Sequence, residues 1–167
     1  IQKLTERGEL DNTIIAYSSD HGEMLGDHDR WGKIVPYQPS VGIPLFIKVP
    51  GMTALGRSPA LVSLMDLTAT FLDYAGVPVP QDMDSRSLRA LLEGRRTEHR
   101  EYVLSGLMKW RMVFDGRYKL VEGYGSSDML FDLANDPQEN ENLAERLPKE
   151  VARLRELNPA RRSSATV

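Results

Sequence analysis

Hydrophobic and polar positions change texture along this chain, and each texture predicts a different element. Residues 13–19, TIIAYSS, are a short β-rich run without strict polar alternation, the pattern of a strand buried on both faces of a parallel sheet. Residues 43–51, IPLFIKVPG, repeat that pattern and close on Pro50 and Gly51. From residue 58 the period lengthens. Leu61, Leu64, Met65, Thr68, Phe71, Leu72 and Ala75 recur at helical spacing, with Ser58 as N-cap, Pro59 at the first helical position and Gly76 as the stop. The opening residues, IQKLTERGELDN, read as the last turns of a helix that begins earlier. Strand, loop, strand and helix in this order predict an α/β fold.

Residues 77–87, VPVPQDMDSRS, form a Pro- and Asp-rich connector, followed by a short helix around SLRALLEG that ends at Gly94. Beyond it the runs shorten. EYVLSGL, WRMVFDG and RYKLVEGYG read as short strands, the last two joined around Asp115 and Gly116, a hairpin signal. MLFDLANDPQENENLAE adds one more short strand and an acidic turn, and a final helix is expected over residues 149–157. The change predicts a boundary near residue 95: residues 1–95 in an α/β domain, residues 96–167 in a small α+β appendage of antiparallel strands plus helix. There is no internal repeat or low-complexity tract.

The 167 residues suffice for one ordinary domain, or for a piece of a core with a small appendage. With 41% hydrophobic and 27% charged residues the composition is that of a soluble globular chain. A net charge of −3, with Lys and Arg spread along the sequence, argues against nucleic acid as a partner. A solvated loop and a tail account for the tight basic clusters, GRRTEHR and ARRSS. No apolar run approaches the ~20 residues of a membrane span. The first residues also lack the apolar core of a signal peptide, so any targeting signal is expected outside this chain and the compartment stays open. The absence of cysteine excludes disulfides, thiolate metal sites and a cysteine nucleophile within these residues.

Chemistry concentrates directly after the first strand. SSDHGEMLGDHDRWGK, residues 18–33, holds two of the chain's three histidines. In open parallel α/β sheets ligands collect at the carboxyl ends of strands, where loops aim side chains into one crevice, and Asp20 and His21 stand there. An Asp carboxylate and a neutral imidazole are both ligands for a divalent ion, and Gly22 lets the backbone turn between them. The pair is at most half a site, because Ca²⁺ takes about six to eight oxygens and Zn²⁺ about four ligands. The same residues also suit a strand-ending turn in which Asp20 caps the next segment and His21 bonds locally. His28 reads as a solvated residue or a support behind the site, Glu23 as solvent-facing or as a brace, Gly26 and Gly32 as turn residues. A mixed oxygen and nitrogen pair favours Mn²⁺ or Zn²⁺.

The order of the whole string resembles the C-terminal half of the sulfatase family, within the alkaline-phosphatase-like superfamily of metal-dependent hydrolases. NTIIAYSSDHGEMLGDHDRWGK followed by IPLFIKVPG is similar to that family's strand, SDHGE.LG.H, GK and second strand. LVSLMDLTATFLDYAGVPVP, SRSLRALLEG and GRYKLV with MLFDLANDPQENENLA resemble its later segments in the right order, over nearly the whole chain. The resemblance implies the C-terminal part of an alkaline-phosphatase-like parallel-sheet core followed by a small α+β antiparallel-sheet subdomain. It implies that Asp20 and His21 are metal ligands, with Ca²⁺ first and Mn²⁺ or Zn²⁺ next. Lys33 is then the cation that contacts sulfate and leaving-group oxygens, and His28 either orients the loop or approaches the substrate.

Two departures accompany it. Many members carry an acidic residue and an Arg where this chain has YQPSVGIP, with Pro39 and Gly42. Members also use a formylglycine made from Cys or Ser in a C.PSR or S.PSR motif of the N-terminal half. This chain has no Cys, and RSPAL around Ser58 does not fit. The expectation is therefore a C-terminal fragment of a sulfatase acting on a sulfate ester, small molecule or glycan, inactive and self-associating by itself. A phosphonate or phosphate ester hydrolase of the same superfamily, a catalytically dead sulfate- or glycan-binding relative, and an unrelated α/β domain are the alternatives.

Overall fold

The structure, a computed structural model, describes residues 1–52 and 56–158; the basic tail cluster ARRSS lies outside them. Contacts group the chain into two units, Ile1–Asp20 with Pro44–Arg100, and His21–Ile43 with Glu101–Val167.

The first unit opens with helix α1 (Gln2–Glu6) and then strand β1 (Ile15–Ser18), which pairs with β2 (Leu45–Lys48). The pairing is antiparallel, Ile15 opposite Lys48 and Ser18 opposite Leu45. This differs from the parallel neighbour that the sequence pattern predicts, and Tyr17 and Phe46 are 65% and 67% exposed rather than buried. The reason is simple: lack of polar alternation reports that a strand is apolar on both sides, and carries nothing about the direction of its partner. The pair is pinned from one end by Lys48, whose ammonium donates to the carbonyls of Leu10 (2.5 Å) and Thr13 (3.2 Å).

Helix α3 spans Asp66–Tyr74, seven residues shorter at its start than the sequence predicts from Pro59. The cause lies in local hydrogen bonds. The Ser58 hydroxyl accepts from the Ala60 N–H, Leu61 bridges to Arg100, and the Ser63 N–H donates to the Asp66 carboxylate at 2.9 Å, so the helix begins only there. Its stop is as expected, with Gly76 in the left-handed region at φ 70°. The buried face is Asp66, Ala69 and Thr70, whereas Leu64, Met65 and Phe71 are 38%, 44% and 42% exposed. Ala69 donates to the Ser85 hydroxyl and Thr70 accepts from the Leu88 N–H, which fastens the connector and the short helix α4 (Arg89–Leu92) to this polar face.

The second unit is built on a sheet of β3 (Val103–Leu107), β4 (Trp110–Phe114), β5 (Tyr118–Glu122) and β6 (Met129–Asp132), antiparallel throughout and in sequence order. Asp115 closes the β4–β5 turn by accepting from the Arg117 and Tyr118 amides, as the hairpin signal predicts. Period-two alternation gives the sheet two faces. Val113, Leu120 and Leu130 pack against Val151 and Leu154 of helix α5 (Pro148–Glu156). Trp110, Met112, Val121 and Phe131 point the other way and pack against Tyr37 and Val41 of the segment His21–Ile43. A sheet covered on both faces by one helix and one irregular segment is what positions that segment.

Candidate functional site

The site is read outward from the end of β1. Asp20 is exposed and stands at the close of the strand's exit; His21 follows it directly. His21 Nδ1 lies 2.7 Å from the Gly22 carbonyl oxygen. A carbonyl only accepts, so Nδ1 is the donor in this contact, and in the neutral ring Nε2 is then the nitrogen with the lone pair, the form of imidazole that ligates metals. Gly22 is needed for a reason other than a sharp turn: its φ is not positive, but a Cβ there would overlap the Pro39 carbonyl. Its N–H donates to the Ser40 carbonyl at 2.8 Å.

The next residues fold on themselves around buried Met24, whose N–H donates to Gly32. Glu23 is a brace, accepting the Gly32 N–H at 2.5 Å. Leu25, His28 and Asp29 adopt φ values of 49°, 54° and 56°, a left-handed conformation uncommon outside glycine. Such a cluster persists only where surrounding contacts over-determine it. His28 supplies them. Its Nε2 donates to the Gln138 carbonyl at 2.8 Å and its ring stacks on Tyr37, centroids 4.0 Å apart and planes within 13°. Burial pushes the Tyr37 phenol above its ordinary value, helped by Tyr124.

Beside this stack opens a cleft of about 750 Å³, lined among others by Asp27, His28, Gln38, Gln138 and Asn140. Pro39 and Gly42, the positions of the departure noted above, also line it. Lys33 is exposed and is not among the lining residues; its carbonyl accepts from the Ser40 hydroxyl at 2.5 Å. Thus the short helix α2 (Gln38–Val41), which the sequence pattern does not show, holds both the backbone after His21 and the backbone at Lys33 through Ser40.

Among the described residues no group of three or more His, Asp or Glu is gathered to hold a metal ion. Asp20 and His21 fit such an ion in kind, one hard oxygen donor and one imidazole nitrogen, but not in number.

The residues that sequence reasoning missed are Lys119 and Glu139. Both side chains are 0% exposed and pair with each other. They lie inside two of the quoted strings, RYKLV and NDPQEN, but nothing local distinguishes a buried Lys–Glu pair from surface charge.

A family profile, N-sulphoglucosamine sulphohydrolase, C-terminal, matches residues 26–158. An arylsulfatase of Clostridium perfringens is 32% identical over 152 residues, covering 84% of this chain and 31% of that protein. A solved structure of a protein in complex with its substrate D-glucosamine-2-N,6-O-disulfate superposes with a TM-score of 0.84 at 30% identity, over 93% of this chain and 35% of that one. A phosphonate monoester hydrolase of Silicibacter pomeroyi does so with a TM-score of 0.83 at 31% identity, over 98% and 37%. The chain thus spans about a third of the length of these relatives. The fold is that of the C-terminal portion of the sulfatases, in agreement with the resemblance carried by the strings from SDHGE to ENLA. With the profile matching from the middle of the loop to the end of the last helix, the chain belongs to the N-sulphoglucosamine sulphohydrolase C-terminal family.

Proposed function

We propose that the whole protein is a metal-dependent sulfuric ester hydrolase, and that this chain supplies part of its metal shell and a substrate-contacting lysine. The observation that carries the reading is the 2.7 Å contact of His21 Nδ1 with the Gly22 carbonyl, which in a neutral ring makes Nε2 the ligating nitrogen of the residue that follows Asp20, in a chain of sulfatase family membership. Residues 1–95 are assigned to the end of the catalytic α/β domain and residues 96–167 to the C-terminal subdomain.

A divalent ion held by Asp20 and His21, Ca²⁺ first and Mn²⁺ or Zn²⁺ next, would polarise the ester and stabilise charge on the transferring group. Lys33 presents its ammonium to the peripheral and leaving-group oxygens, where charge builds in the transition state. His28 keeps its Nε2 proton on Gln138 and its ring on Tyr37, so in this reading it orients the loop and offers Nδ1 as an acceptor to a substrate hydroxyl. The carboxylates and amides of the cleft favour a hydroxyl-rich sugar ester, and a sulfated amino sugar is the substrate class we assign. No side chain here matches a formylglycine precursor, which the reading places outside these residues. By itself the chain is proposed to self-associate through the exposed faces of β1 and β2.

Similarity to the phosphonate monoester hydrolase favours one second reading, hydrolysis of phosphonate or phosphate esters. A non-catalytic sulfate-binding role is the third outcome of one experiment. The whole protein is assayed with an aryl sulfate and a phenylphosphonate ester, and its metal content is measured before and after Asp20→Ala. Turnover of the sulfate with loss of metal and activity in the variant is expected. Preference for the phosphonate selects the second reading, binding without turnover selects the third, and unchanged metal stoichiometry removes Asp20 from the shell.

A further inference from the structure

Lys119 and Glu139 form an ion pair that the chemistry above does not use. The register explains how a lysine comes to be buried: on β5 it alternates with Leu120, so it shares the sheet face of Val121, which the segment His21–Ile43 covers. Burial pushes the Lys119 ammonium below its ordinary value, and the Glu139 carboxylate pulls it back up. Glu139 Oε1, which has no hydrogen bond of good geometry, is the oxygen the ammonium faces. Glu139 itself holds a left-handed φ of 58°, in the turn where its N–H donates to Asp136. Two buried charges and one strained residue are a costly arrangement.

What the pair holds lies on either side of Tyr37. Lys119 Nζ donates to the Pro36 carbonyl at 2.8 Å, and the Gln38 N–H donates to Glu139 Oε2 at 2.5 Å. Apolar side chains of the same size would fill the space, but they would give Pro36 no donor and Gln38 no acceptor. Tyr37, with both neighbours pinned, carries the His28 ring, and Ser40 carries the Gly22 amide and the Lys33 carbonyl.

We propose that Lys119 and Glu139 are positioning residues, a buried cation and anion that set the backbone around Tyr37 and thereby the His28 ring, the backbone after His21 and the backbone at Lys33. The role rests on the reading of His21–Ile43 as the reacting segment, but its test needs no turnover, so the two can fail separately.

The test compares the full chain with Lys119→Met/Glu139→Leu, which removes both charges together and leaves neither one alone. The expected result has three parts. The Leu120 and Val113 amides keep their protection, the Gln38 and Gly22 amides exchange about tenfold to a hundredfold faster, as loss of a charge-assisted hydrogen bond implies, and the His28 ring protons lose the ring-current displacement that Tyr37 gives them. A protected sheet with unchanged Gln38 exchange and unchanged His28 resonances overturns the proposal. Should that variant not fold, Glu139→Gln keeps the shape and one oxygen but not the charge. About severalfold faster Gln38 exchange over an intact sheet is then expected, and no change overturns it. Failure of both variants to fold overturns it as well, since the pair would then decide the fold and not the loop.

Discussion

The role proposed for Lys33 rests on its setting, since the residue carries no distinguishing local signal. It is exposed, and its carbonyl rather than its ammonium is what the protein fastens, through Ser40. A side chain anchored at the backbone and exposed beyond it suits a cation that meets its anion only when substrate is present. In the whole protein Lys33→Ala is expected to lower kcat by about two to three orders of magnitude, the usual size for losing one transition-state charge partner. Lys33→Arg should restore little, because a planar fork does not reproduce a compact ammonium. Steady-state kinetics on an aryl sulfate decides it, and a normal kcat for Lys33→Ala returns the residue to solvated surface. Asp20 and His21 stand out in the sequence because their types and order mark a strand exit, and Lys33 only through the resemblance to the sulfatases. Asp66, Lys119 and Glu139 do not, since a buried charge is recognised only by partners far along the chain, such as Arg100 at 34 residues from Asp66.

Among the elements, α3 depends on such a partner set. Its first residue, Asp66, accepts from Ser63, Arg86 and Arg100, with His99 Nε2 at 3.2 Å. The helix and its stop at Gly76 were legible, but its buried face was not, since none of Asp66, Ala69 and Thr70 belongs to the apolar period. The start was not, because the signal of Ser58 as cap and Pro59 at the first helical position competes with hydrogen bonds that exist only once Arg86 and Arg100 are in place. Burial holds the His99 imidazole below its ordinary value of 6.5, against the pull of Asp66. On acidification the unfolded chain therefore binds that proton first, and stability present above about pH 6.5 falls as pH drops through the folded value. Burial pushes the Asp66 carboxyl up, but Arg100 and the Ser63 and Arg86 amides outweigh it and hold it below 3.8. That contribution is present above pH 3.8 and is lost as pH falls through the folded value. Protection of the Leu88 and Ala69 amides relative to their intrinsic exchange rates, which reports on this clasp, should fall in two steps on acidification, one beginning near pH 6.5 and one near pH 3.8. His99→Gln should abolish the upper step and leave the lower. A single step unaffected by that change would contradict the assignment.

At the scale of the molecule, a boundary drawn at residue 95 followed the change from long to short periods, but no pattern along the chain shows that residues 21–43 share their contacts with 101–158. The segment's apolar residues, Met24, Val35 and Val41 among them, follow neither a helical nor an alternating period and read as a loop, and only the bare face of Trp110, Met112, Val121 and Phe131 calls for a cover. Strand composition showed that β1 was apolar and not what lay on either side of it. Two consequences follow for the 167-residue chain studied by itself. As the proposed ligands, Asp20 and His21 would supply two donors where even a tetrahedral ion takes about four, and among the described residues no group of three or more His, Asp or Glu is gathered to hold an ion. Rigorously purified chain should therefore bind Ca²⁺, Mn²⁺ and Zn²⁺ weakly and turn over neither aryl sulfates nor aryl phosphates; metal-dependent turnover would refute this. A two-stranded pair is marginal in water and exposes hydrogen-bonding edges, and here Tyr17 and Phe46 stand adjacent across it with centroids 6.0 Å apart and about two-thirds of each exposed. Sedimentation should show concentration-dependent association, reduced in Tyr17→Ser/Phe46→Ser, whose changes lie on an exposed face. A chain that sediments as a monomer at every concentration, with the β1 amides protected from exchange, would mean that the pair is self-sufficient and its aromatic face tolerates water.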